Sequence, residues 1–127
     1  MAITQSRSLR KPTGGRYKST NPKKLHQAAS RPLKTVVGKT KVKSRKTKGA
    51  NTKHGLLSAD TVNLYDPKKK KHVKAKLEVV KESTSNRNFV RRNIMTRGTI
   101  VKTDKGLAKI TSRPGQDNVM NAVLHEE

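Results

Sequence analysis

Cysteine is absent from the 127 residues, which excludes disulfides, thiolate metal sites and cysteine nucleophiles together. Tryptophan is absent too, and the aromatics are only three: Tyr17, Tyr65 and Phe89. So small a supply argues against the stacking platforms on which single-strand RNA readers splay bases, and therefore against a cold-shock or RRM-type surface. No apolar run approaches the roughly 18–20 residues of a membrane span, and no short apolar stretch follows Met1 as a secretory signal requires. The expected compartment is the cytoplasm. Negative charge is missing from a long first stretch, since residues 1–59 contain 16 Lys/Arg and no Asp or Glu.

What is present is positive charge. The chain has 31 Lys+Arg against 8 Asp+Glu, a formal net charge of +23, and only 30% hydrophobic residues, where a typical soluble domain has roughly 45–50% counting glycine. A fold of this size tolerates such self-repulsion when a polyanion neutralises it, so the expected partner is nucleic acid. Apolar residues favour the other end, with 13 among the first 55 and 25 among the last 72. This asymmetry predicts a basic extension over residues 1–35 and one packed domain over 36–127. Pro12, Gly14, Gly15, Asn21, Pro22 and Pro32 punctuate the extension. It buries too little to offset roughly 1–2 kcal/mol per residue of backbone ordering, so it is expected to be extended and disordered when free.

The packed part has the pattern of strands. Residues 72–79 alternate polar and apolar with period two. Residues 57–64 give a looser strand, with Asp66-Pro67 and the lysines after it as the intervening hairpin tip. Residues 99–102 and 107–111 flank the tight turn Thr103-Asp104-Lys105-Gly106. Residues 119–124 make a last strand and 36–43 a weak early one, while Asn88 to Met95 has room for one helical turn. Five or six short strands predict an all-β fold, a small closed or partly open β-barrel carrying a long basic extended N-terminal arm.

Enzyme chemistry finds no support. Val37-Gly38-Lys39-Thr40 imitates the end of a phosphate-binding loop, but Leu33 stands where that loop needs glycine. His26, His54, His72 and His125 lack metal-ligand spacing, and the carboxylates are scattered, so no catalytic residue, metal site or cofactor is expected.

The basic residues fall into groups. Arg7, Arg10, Lys11, Arg16, Lys18, Lys23, Lys24 and Arg31 recur every few residues along the extension. There Gly14 and Gly15 allow close approach to an RNA backbone, and Tyr17 adds a ring. Lys39, Lys41, Lys43, Arg45, Lys46, Lys48 and Lys53 alternate with small polar residues, as in a strand or loop with one face on phosphate. In Asn86-Arg87-Asn88-Phe89-Val90-Arg91-Arg92-Asn93, Phe89 and Val90 are expected to anchor while Arg87, Arg91 and Arg92 offer planar forks to phosphate. Arg113-Pro114-Gly115-Gln116-Asp117 is a turn in which Asp117 caps backbone N–H groups, with Arg113 a candidate RNA contact. The Lys68–Lys71 run suits a solvated tip and a phosphate contact equally.

At Ser6-Arg7-Ser8-Leu9-Arg10-Lys11-Pro12-Thr13-Gly14-Gly15-Arg16-Tyr17 the chain resembles the archaeal/eukaryotic family of small-subunit ribosomal protein eight, the "eight-e" type, in its short archaeal form. The likeness continues through 86–94, 99–103, 111–117 and 121–124. It implies a β-barrel with a basic extension, bound to small-subunit ribosomal RNA beside neighbouring ribosomal proteins, without catalysis or cofactor. The alternative is a ribosome-assembly factor using the same barrel. A DNA-packaging role predicts Lys-rich repeats or dimeric helices, and neither is present; no DNA or membrane partner is expected.

Overall fold

A computed structural model describes residues 3–4, 7–18, 21–22 and 24–125. They group into two compact units that divide between residues 32 and 33. In the first, strand β1 (Ile3–Thr4) pairs antiparallel with β2 (Ala28–Ala29), which a short 3-10 turn over Leu25–Gln27 precedes. Lys23 lies outside the described residues.

The second unit contains β3 (Thr35–Val37), β4 (Lys41–Lys46), β5 (Thr52–Ala59), β6 (Thr61–Asp66) and β7 (Lys71–Glu82). Helix α1 (Arg87–Arg91) follows, then β8 (Ile94–Met95), β9 (Ile100–Thr103), β10 (Gly106–Ile110) and β11 (Asn121–Leu124). Strands β6, β7, β9, β10 and β11 close into a barrel, antiparallel at every seam except the parallel β11–β6 pair. The other four form a sheet in the order β4-β5-β3-β8, with β5 and β3 parallel.

Alternation accounts for most of the barrel. In β6, Val62 and Leu64 point inward, and in β7 Ala75 and Leu77 do so while Lys74, Lys76 and Glu78 face water. Val101, Ala108, Ile110 and Ala122 fill the remaining interior, and Leu56, Ala59, Met95 and Met120 join the same cluster. Burying a side chain such as Ile110 contributes roughly 1.5–3 kcal/mol. The buried threonines keep their hydroxyls bonded: Thr35 Oγ1 donates to Leu56 O at 2.7 Å and Thr103 Oγ1 to Gly106 O at 2.8 Å.

The regular period breaks at three places, each for a local reason. Strict alternation puts Val79 inside, yet it is 47% exposed while Val80 is 1% exposed. Bulges in the β7–β9 pairing move the phase by one. The run 36–43 is two strands, because Gly38 turns the chain and donates its N–H to Ala59 O at 3.0 Å. The run 57–64 divides at Asp60, the corner where the chain passes from the open sheet into the barrel. Asp60 O accepts from Leu77 N at 2.8 Å, and its carboxylate accepts from the Thr40 hydroxyl. The Thr40 hydrogen bond and then the backbone N–H of Asp60 hold its carboxyl below its ordinary value against an opposing effect of desolvation, with lesser help from Thr61 N–H and the charge of Lys76.

Two tests follow from this packing. A methyl group on Gly55 would stand 2.5 Å from the Gly115 carbonyl oxygen and 2.8 Å from Leu33 Cδ1. Gly55→Ala should therefore cost about 1–3 kcal/mol in urea unfolding; a midpoint equal to wild type would show that this turn yields freely. For Asp60, a depressed folded-state pKa means a contribution fully present above the unfolded value and lost as pH falls through the folded one. Between about pH 6 and pH 2 the wild-type chain should lose more stability than Asp60→Asn, and parallel curves would deny the corner its role.

Candidate nucleic-acid interface

Strands β4 and β5 form a projecting ribbon. Strand β3 reaches only Ser58 and Ala59 of β5, so Thr52–Gly55 has β4 as its strand neighbour among the described residues. From Lys39 to His54 every residue except Thr47 is exposed. The connecting turn over Lys48–Ala50 takes left-handed backbone at Gly49 and Ala50, with φ of 73° and 60°. Thr47 closes it, donating N–H to Asn51 O at 2.7 Å.

The register sorts the side chains. Arg45 lies opposite Lys53 and Lys43 opposite Gly55; cross-strand partners share a face, so Lys43, Arg45 and Lys53 stand on one side. The Gly115 carbonyl covers that same side at Gly55, and Pro114 O accepts from Leu56 N at 2.9 Å. The exposed Arg113 is thus carried to the base of the ribbon's cationic face. Asp117 fixes the turn as expected, its Oδ2 accepting from Arg113 N at 2.8 Å. On the opposite side Ser44 Oγ and His54 Nδ1 share a hydrogen bond of 2.8 Å and Lys46 faces Thr52, while Lys48 sits at the tip.

The arginine segment forms the short helix. Asn86 caps it, its side chain accepting from Asn88 N at 2.9 Å; Phe89 and Val90 are half-buried while Arg87, Arg91 and Arg92 are exposed. Asn93 then takes φ 49° and ties three elements together. Its N–H donates to Val90 O at 3.1 Å, its carbonyl accepts from Val37 N at 3.2 Å, and its side chain accepts from Val80 N at 3.2 Å. The helix therefore ends rigidly at β8, on the margin of the sheet opposite β4. Three strand spacings, roughly 14 Å, separate the two margins.

Two further cations, outside the charge groups above, lie near the arginine helix. Lys34 Nζ lies 5.9 Å from the Phe89 ring centroid. Arg97 occupies the turn after β8, which the 3.0 Å contact of Ser85 and Thr96 hydroxyls brings beside the start of α1. Neither sits in a charge run, and only the tertiary pairing reveals them. Lys68–Lys71 form the β6–β7 tip, shaped by Asp66 Oδ1 accepting from Lys68 N and Lys69 N at 3.0 and 3.2 Å.

Taken by itself, the first unit presents Arg7, Arg10, Lys11, Arg16, Lys18, Lys24 and Arg31 at its surface. Arg10 and Arg16 pair as an antiparallel bridge around the Gly14-Gly15 turn, and Tyr17 is half-buried. Among the described residues no His, Cys, Asp and Glu group could hold a metal ion.

Three archaeal proteins are similar to this chain over nearly its whole length. A protein of Methanocorpusculum labreanum named small ribosomal subunit protein eS8 is 46% identical over 124 residues, 98% of this chain and 99% of the relative. Its namesake in Picrophilus torridus is 43% identical over 124 residues, again 98% and 99% of the two chains. That of Methanospirillum hungatei is 43% identical over 122 residues, 96% and 98% of the two. The family model described as ribosomal protein S8e matches residues 4–125, including the glycine turn, the ribbon, the arginine helix and the barrel. The chain belongs to the ribosomal protein S8e family.

Proposed function

We propose that the chain is a structural constituent of the small ribosomal subunit that binds and stabilises folded ribosomal RNA. Its basic N-terminal unit and the Arg/Lys-rich ribbon, helix and Arg113 turn of the barrel domain make the contacts. Membership of a ribosomal protein family makes it a structural component and not an enzyme, and its working place is the ribosome in the cytoplasm, beside neighbouring ribosomal proteins.

The observation that carries this reading is the acid-free ribbon over residues 39–54, with Lys43, Arg45 and Lys53 on one face and Arg113 at its base. A-form RNA hides its base edges in a deep, narrow groove, so a protein meets it through phosphates, 2′-hydroxyls and the shape of its junctions. A projecting cationic ribbon and a helix end on the opposite margin of the same sheet suit that mode, because they can touch separate phosphate runs without reading bases.

Two measurements test it. Replacing Lys43, Arg45 and Lys53 together by Gln should weaken binding to small-subunit ribosomal RNA and lower the salt slope by about 2–3, at roughly 0.7–0.9 per lost phosphate contact. Stability should stay within about 0.5 kcal/mol, since all three are exposed. Unaltered affinity and slope would remove the ribbon from the interface. In cells, crosslinks to small-subunit RNA in mature subunits and translating ribosomes are expected. Crosslinks confined to precursor particles would instead mark an assembly factor, and mainly DNA or messenger RNA would overturn the reading.

A further inference from the structure

The glycine turn of the first unit is closed by its own bonds. Lys11 N–H donates to Gly15 O at 2.8 Å, Gly14 N–H to Lys11 O at 3.0 Å, and Tyr17 N–H to Leu9 O at 2.9 Å. Gly14 has φ +83°, a conformation that side-chain-bearing residues rarely adopt. Arg10 folds its guanidinium back to donate to the Gly14 carbonyl at 2.8 Å, which engages that arginine within the turn.

Arg7 is placed differently. Its Cζ lies 3.9 Å from the centroid of the Tyr17 ring, a stacking distance. A guanidinium that covers a ring with one face keeps its N–H groups, which lie in its own plane, available to acceptors at its edge. Tyr17 in turn is held by its N–H bond to Leu9 O and by the neighbouring Arg10–Arg16 bridge. Arg7 thus rests against a ring that is itself anchored, and a side chain restrained in this way loses less freedom on binding than a mobile one.

We infer that Arg7, held against Tyr17 by this turn, is a preset two-pronged site for a pair of adjacent acceptors on RNA. Those acceptors are two oxygens of a phosphate or O6 and N7 of a guanine, which present the same geometry to a guanidinium fork. Tyr17 is a positioning residue, acting through Arg7. The inference rests on the reading of the chain as an RNA-binding ribosomal protein.

The test uses the full chain and small-subunit ribosomal RNA of the source cell, transcribed in vitro, with mixed transfer RNA as control. Arg7→Lys keeps the charge but loses the fork and the flat stacking, so affinity should fall about three- to tenfold while the salt slope stays at its wild-type value. Tyr17→Leu should give a similar loss, and Tyr17→Phe, which keeps the ring, should restore wild-type binding. The Tyr17 ring also has Lys11 Nζ 5.5 Å from its centroid, so Tyr17→Leu can lose somewhat more than Arg7→Lys. The double variant Arg7→Lys, Tyr17→Leu should bind no more weakly than Tyr17→Leu alone, because the Arg7 arrangement is already gone there. RNA made with 7-deazaguanosine separates the two acceptor pairs. An Arg7→Lys loss that persists on it indicates phosphate, and a loss that vanishes indicates guanine N7. Equal binding by Arg7→Lys and wild type, or multiplying losses in the double variant, would overturn the inference and leave RNA binding intact. Failure of the wild-type chain to prefer ribosomal over transfer RNA would overturn the broader reading instead.

Discussion

A barrel of five strands encloses very little space, and that narrowness governs what the rest of the chain can be. Its interior accepts Val62, Leu64, Ala75, Leu77, Val80, Val101, Ala108, Ile110 and Ala122, and no aromatic ring. Low aromatic content is thus a property of the fold as much as of the surface. Tyr65 and Phe89 lie half-buried outside the central cluster, Phe89 beneath Lys34. Small aliphatic side chains fill the described core, and the long cationic side chains lie outside it, where they can meet a partner.

The four aspartates each serve the chain's own turns and corners. Asp66 shapes the β6–β7 tip, Asp104 accepts from Lys76 N at 3.0 Å, Asp117 closes the turn after Arg113, and Asp60 holds the corner with Thr40. Carboxylates at turns fold the domain locally without sitting among the cations of the ribbon. The Glu78–Lys102 pair at 3.0 Å joins β7 to β9 across the barrel wall, and is exposed enough to contribute little.

Much of this arrangement was legible in the residues. Alternation holds at 74–78, though Val73 and Val79 at the ends of the expected run are exposed; the turn at 103–106 and the barrel follow from turn chemistry and from the number and spacing of the strands. The ribbon was legible as charge but not as a hairpin, since β4 is exposed on both faces and leaves no hydropathy period. The parallel β11–β6 and β5–β3 pairings escape sequence reading because nothing local records a partner far along the chain. Asn93 looked like one more polar residue in a basic run, whereas its backbone and side chain tie α1, β3 and β7 together. Residues 7–17 were weighed by apolar area alone, and a turn closed by hydrogen bonds and a stacked arginine has no hydropathy signature.

Strand β4 is the outermost strand of its sheet, so one row of its backbone donors and acceptors faces away from any other strand of the unit. Such a row is a template for edge-to-edge aggregation. Lys41, Lys43, Arg45 and Lys46 line this strand, and like charges brought together by two copies would repel before the backbones could pair. The same cations that make the ribbon basic thus guard its open edge against pairing between two copies of the chain.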